Sequence, residues 1–154
     1  MGLYQRIMIP TDGSPSSNAV LEHAARLARD QGARVKLITV VDETLGDHVG
    51  GELAWIEPEL LRENLLAGAR KSLEGAVARA RELELDVDSE LIESNDGRID
   101  RAILDAADSW AADLLVITTH GRHGLARLLL GSTAETLVRR GKLPILVVPA
   151  GGVE

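Results

Sequence analysis

Five short apolar runs alternate along the chain with stretches of helical period, and this alternation limits the fold more than any other feature. The runs are residues 3–10, 33–41, 87–93, 114–118 and 144–148. In the first, fourth and fifth the apolar residues stand in succession, as in Ile7-Met8-Ile9, Leu114-Leu115-Val116-Ile117 and Ile145-Leu146-Val147-Val148. That pattern belongs to strands covered on both faces, which are found in parallel sheets.

The stretches between the runs read as helices. Ser14 is a good N-cap with Pro15 at the first helical position, and Gly32 is a C-terminal stop. Helix one, residues 15–30, presents Ala19, Val20, Ala24, Leu27 and Ala28 near a 3.6-residue spacing. Helix two, residues 58–84, carries Leu61, Leu65, Leu73, Val77, Ala80 and Leu83. Helix three, residues 98–111, turns Ile99, Ala102, Ile103, Ala106 and Ala107 inward, and helix four, residues 132–140, ends at Gly141. The order βαβαβαβαβ predicts an α/β fold. It is a single open, doubly wound, Rossmann-like parallel sheet of five strands in the order 3-2-1-4-5, with helices on both faces. Residues 1–150 form one domain and 151–154 a flexible tail. The connection 42–57 is long enough to read as a flap or partner surface.

Composition narrows the function. A 154-residue chain can bury a sizeable core, and with 45% hydrophobic residues but no Phe that core must be aliphatic. The net charge of −7 argues against a general nucleic-acid binder. The absence of cysteine excludes disulfides, zinc–thiolate sites and thiol nucleophiles. No apolar run approaches the roughly 18 residues of a membrane span, and the N-terminus lacks the pattern of a signal peptide. The expectation is a soluble cytoplasmic protein that binds neither nucleic acid nor membrane.

In doubly wound sheets, ligands sit beyond the carboxyl ends of the strands where the winding reverses. Two loops occupy that position. One is Pro10-Thr11-Asp12-Gly13-Ser14 after strand one, and the other runs from Thr118 to Ser132 after strand four. Gly121, Gly124 and Gly131 would let the second loop approach a ligand closely. Ser132-Thr133-Ala134-Glu135 is a capping-box pattern, and a helix N-terminus suits a phosphate. Neither GxxxxGK[ST] nor a G-x-G-x-x-G after strand one occurs, which excludes the P-loop and the usual dinucleotide fingerprint.

These residues carry a resemblance. From 10–14, through Val40-Val41-Asp42, to THGRHGLARLLLGSTAE and PILVVP, the chain resembles a universal stress protein of the UspA type. That family lies within the adenine-nucleotide α-hydrolase-like folds. ATP-binding members carry G-x2-G-x9-G-[ST] after strand four. Here the second Gly is Gly121, nine residues follow, and Gly131-Ser132 close the motif, but Thr118 stands at the first Gly. The resemblance implies that Pro10, Thr11 and Asp12 face ribose or phosphate and that Val40 offers its backbone to adenine. Gly121 and Arg122 would lie along the phosphates, and Gly131, Ser132 and Thr133 would hold phosphate oxygens. The Thr118 hydroxyl would contact the nucleotide or crowd it. The implied ligand is ATP, or AMP or ADP, with Mg²⁺ or Mn²⁺ arriving on the nucleotide, Asp12 being the side chain nearest such an ion. The resemblance also implies a homodimer through the last strand, Ile145, Leu146, Val147 and Val148, which an apolar edge strand calls for on its own account.

Plainer readings stand beside these. Asp12 is also a turn residue before a helix, and Ser132 a helix cap. His120 with His123, or Asp47, His48 and Glu52, make weak metal sets, so no metal held by the protein alone is expected. Arg139, Arg140 and Lys142 complement the C-terminal dipole of helix four. No spacing marks a nucleophile with its base, so no catalytic residue is assigned. Three functions remain open: an ATP-binding stress sensor with an unidentified regulatory protein partner, a member that acts through protein contacts without ATP, and a slow ATP hydrolase or phosphotransferase.

Overall fold

β1 (Arg6–Pro10) is the centre of the structure, a computed structural model that describes residues 2–44, 57–118 and 132–149. Around it, in chain order, stand α1 (Pro15–Gln31), β2 (Arg34–Asp42), α2 (Pro58–Glu82), β3 (Val87–Ser94), α3 (Ile99–Trp110), β4 (Leu114–Thr118), α4 (Ser132–Arg140) and β5 (Ile145–Val148). All four strand pairs are parallel and the order is β3-β2-β1-β4-β5, as the alternation predicts.

The order follows from handedness. A β-α-β crossover is right-handed, so a chain that steps one way along the sheet and then the other must change faces. α1 and α2 accompany the steps from β1 to β2 to β3 and cover one face. There Ile7, Ile9, Val35, Leu37, Leu114 and Val116 pack against Val20, Ala24, Ala28, Leu73 and Ala80. The return to β4 and the step to β5 place α3 and α4 on the other face. There Met8, Ile38, Leu115 and Ile117 meet Ile103, Ala107, Ala134 and Leu137. Ile7, Met8 and Ile9 are completely buried, and each contributes about 1.5–3 kcal/mol relative to exposure. The sheet supplies the large aliphatic groups and the helices mostly alanines.

Local signals set most boundaries. Ser14 caps α1, its hydroxyl accepting from Ser17 N at 3.3 Å, and Gly32 closes it at φ 67°, donating to the Ala28 and Arg29 carbonyls. Other details differ from the sequence expectation. The first strand begins at Arg6, because Gly2 and Tyr4 donate to Gln31 at the end of α1 and draw the N-terminus away from the sheet. Ala19 is exposed, while Leu21 and Ala25 take the inward positions. The inward row of α2 is Leu66, Leu73, Ala76 and Ala80, with Leu61 and Leu65 only half-buried. The end of α3 agrees with the sequence expectation, with Ala111 as its C-cap in the left-handed region at φ 59° although no glycine announces the stop. The tail 151–154, the bulk of the 42–57 connection and most of the loop after β4 lie outside the described residues. Among the described residues no helix is long and apolar enough to cross a membrane.

One side chain holds the amino ends of the central strands together. The Asp113 carboxylate accepts from Gln5 N at 2.8 Å and from Arg6 N at 2.9 Å, and Asp113 N donates to Arg6 O. This joins residues more than a hundred positions apart immediately before β4 starts. Asp113→Ala should therefore cost about 1–3 kcal/mol in urea unfolding, with Asp113→Asn recovering part of the loss.

Candidate functional site

The carboxyl ends of β1, β2 and β4 meet where the winding reverses. Pro10 ends β1 opposite Ile38, and Thr11 N continues the ladder by donating to Ile38 O at 2.8 Å. The chain then turns into α1. Asp12 Oδ1 accepts from Ser14 N at 2.9 Å and from the Ser17 hydroxyl at 2.7 Å, while Asp12 N donates to Ser17 Oγ at 3.3 Å. Asp12 is thus the turn residue of the plainer reading, with its half-buried carboxylate fixed at the mouth of the β1–α1 loop. Gly13 takes φ 79° beside Ser72 of α2.

Register brings three threonines into one cross-strand row. Thr39 of β2 pairs with Leu91, and Thr118 of β4 pairs with Val148. Carrying the β1 registers forward from Pro10↔Ile38 and Met8↔Leu115 puts Thr11 between Thr39 and Thr118. Side chains alternate along a strand, so all three lie on the α1–α2 face, in line with Ile9, Leu37 and Val116. Thr11 and Thr39 are buried, and Thr39 donates its hydroxyl to Thr11 O at 3.0 Å. Thr118 as a residue is only half-buried, but its hydroxyl oxygen is buried and has no hydrogen-bond partner among the described residues.

Val40 is built for a backbone role. Its side chain packs on the opposite, α3–α4 face. Ile38 presents its carbonyl to Thr11, so Val40, two residues on, presents its N–H and C=O on the same side, at the level where β1 has ended. Beyond it, Asp42 accepts from Thr44 N and from the Thr44 hydroxyl. Arg62 bridges Glu43 at 3.3 Å and Glu93, tying α2 to the ends of β2 and β3. The hydrogen bond that Arg62 donates to Glu43 and the charge of Glu93 raise the Arg62 pKa further, keeping it cationic.

On the far side, α4 opens with Ser132 and Thr133, both exposed. Thr136 donates back to Ser132 O, Glu135 pairs with Arg139, and Arg139 and Arg140 occupy the last turn as the dipole reading requires. Gly121, Arg122, Gly124 and Gly131 lie outside the described residues, as do His120, His123, Asp47, His48 and Glu52. Among the described residues no three His, Asp or Glu side chains are placed to hold a metal. Sequence reasoning overlooked Thr39, Ser17 and Ser72. Ser17 was accessible as the third residue after the Ser14 cap, but Thr39 and Ser72 become neighbours only through register and helix packing.

Comparison with known proteins gives a consistent result. A family model described as the universal stress protein family matches residues 3–149. A universal stress protein of Methanocaldococcus jannaschii is 36% identical over 146 residues, covering 95% of this chain and 82% of that one. The crystal structure of a universal stress protein family member from Burkholderia pseudomallei superposes with a TM-score of 0.73 at 27% identity, covering 95% and 96% of the two chains. A universal stress protein solved in complex with cAMP superposes at 0.69 with 25% identity, covering 96% and 98%.

The β1–α1 loop offers a direct test of how tightly this site is built. A Cβ on Gly13 would lie 2.7 Å from Ser72 Oγ, on a backbone already in the left-handed region. Gly13→Ala should lose about 1–2 kcal/mol in chemical denaturation. Gly13→Ala combined with Ser72→Gly should recover the steric part and leave the backbone part.

Proposed function

The chain belongs to the universal stress protein family, and from that premise we propose that it binds an adenine nucleotide at the carboxyl ends of β1, β2 and β4. It would act as a homodimeric regulator of the stress response, with little or no hydrolysis. The observation that carries the reading is the Thr118 hydroxyl. A buried hydroxyl without a partner costs about 1–3 kcal/mol, and Thr39 in the same row escapes that cost through Thr11 O. A polar ligand atom arriving at the strand ends would satisfy Thr118, where a valine would serve a purely structural role better.

The other residues fit a nucleotide laid across the reversal. Val40 would offer its outward backbone groups to adenine, while Pro10, Thr11 and Asp12 would face ribose and phosphate. Ser132 and Thr133, at the start of α4, would receive phosphate oxygens, with Gly121, Arg122, Gly124 and Gly131 following the motif. ATP would bring Mg²⁺ or Mn²⁺, which would screen the phosphate charge near the Asp12 carboxylate. The complex of a relative with cAMP supports the adenine-nucleotide class and leaves AMP-like ligands beside ATP.

The proposed dimer seam is β5. It stands at one edge of the sheet with Ile145, Leu146, Val147 and Val148 all half-buried. Leu115 N donates to Pro144 O, so Ile145 and Val147 turn their backbone groups to the open edge, where a partner strand would bond to them.

Calorimetric titration of stripped protein with Mg-ATP, ADP, AMP and cAMP should give saturable binding of at least one of them. Thr118→Val should raise the melting temperature of the nucleotide-free protein and weaken the nucleotide about tenfold, the loss of one hydrogen bond. No heat with any of the four at millimolar concentration would remove the nucleotide reading and favour a family member acting through protein contacts. Sedimentation should show a dimer at micromolar concentration. Val147→Pro, which deletes an outward N–H, should make it a monomer, and a monomeric wild type would refute the seam.

A further inference from the structure

The sheet edge opposite β5 is β3. Among the described residues β3 is paired only with β2, and four of its eight residues, Asp88, Ser89, Glu90 and Glu93, are exposed. Val35 N donates to Asp86 O, so the even-numbered residues of β3 turn their backbone groups towards β2. Ser89, Leu91 and Glu93 therefore turn theirs to the open edge. Between this edge and α3 runs a cleft of about 350 Å³. Ile92, Ala102 and Ala106 contribute its apolar lining, and small alanines leave room there for a side chain from outside.

Charge decides what such a groove accepts. Four carboxylates and two guanidiniums line it, and nearly all are already engaged. Glu90 pairs with Lys36 at 2.7 Å, Glu93 with Arg62, and Arg101 with Asp96 at 3.8 Å. Arg98 is held on Asp100 at 3.3 Å, and its hydrogen bond keeps the Asp100 carboxyl below the usual carboxylate range. Asp105 is lined up in the same groove without a partner among the described residues. A second copy of β3 is a poor occupant. Pairing two such edges would set Asp88, Glu90 and Glu93 of one copy against the same carboxylates of the other, and like charges across a strand pair destabilise it.

We propose that the groove between β3 and α3 docks an extended basic peptide, which adds a strand to the β3 edge. Its backbone bonds to Ser89, Leu91 and Glu93, an apolar side chain seats over Ala102 and Ala106, and a lysine or arginine reaches Asp105. Strand addition draws affinity from main-chain hydrogen bonds and specificity from alternate side chains. The groove supplies both.

The test uses the full chain, labelled with ¹⁵N, and a synthetic eight-residue peptide of alternating valine and lysine. Saturable amide shifts should be confined to β3 and to residues 102–109. Asp105→Asn should weaken binding about tenfold, the effect of removing one partner of an interfacial charge pair, and Ala106→Arg should abolish it. A peptide with glutamate in place of lysine should not bind. The proposal is overturned if the lysine peptide produces no saturable shift, or if Asp105→Asn binds it as tightly as the wild type. It is also overturned if Ala106→Arg instead abolishes a concentration-dependent self-association, which would assign the groove to a second copy. None of these outcomes depends on nucleotide binding.

Discussion

Burial of Ile7, Met8 and Ile9 in the middle of β1 is the constraint on which the rest depends. Ile7 and Ile9 serve one core and Met8 the other, so this single short strand couples both helical layers. Its neighbours come from opposite halves of the chain, β2 from the first and β4 from the second. Right-handed crossovers then leave no alternative to changing faces after β3. The point of reversal is where two strand ends diverge and leave backbone and side chains open to a ligand. The candidate site is a consequence of how the core closes.

Polarity at that end is arranged with some economy. The β1–α1 turn is satisfied internally by Asp12, Ser14 and Ser17, and Thr39 by the Thr11 carbonyl. Among the described residues at that end, the buried Thr118 hydroxyl has no such partner. Thr118 still pairs with Val148, so β4 runs regularly to its last residue.

The two edges of the sheet solve the same problem in opposite ways. β5 is four residues long and entirely aliphatic, an edge that calls for cover. β3 is twice as long and carries Asp88, Glu90 and Glu93, charges that discourage self-pairing. Arg34, Lys36 and Arg62 balance those carboxylates from within the molecule.

Element type, order and most boundaries were legible in the sequence because they rest on local physics. A 3.6-residue period, a serine cap with proline after it and a left-handed glycine at the end act within a few residues, as α1 shows. The glycine spacing after β4 likewise carried the family, since a motif is a property of the chain itself. What the sequence left undetermined was every relation set by register. Thr39, Thr11 and Thr118 are separated by dozens of residues and share a row only once β2, β1 and β4 are aligned. Asp113 reaches Gln5 and Arg6 only because β4 lies beside β1, and Ala111 adopts its left-handed turn because the chain must leave α3 there to enter that strand. Long-range pairing energies, unlike helical periods, cannot be read from neighbours in the chain, so tertiary structure decided which polar groups found partners.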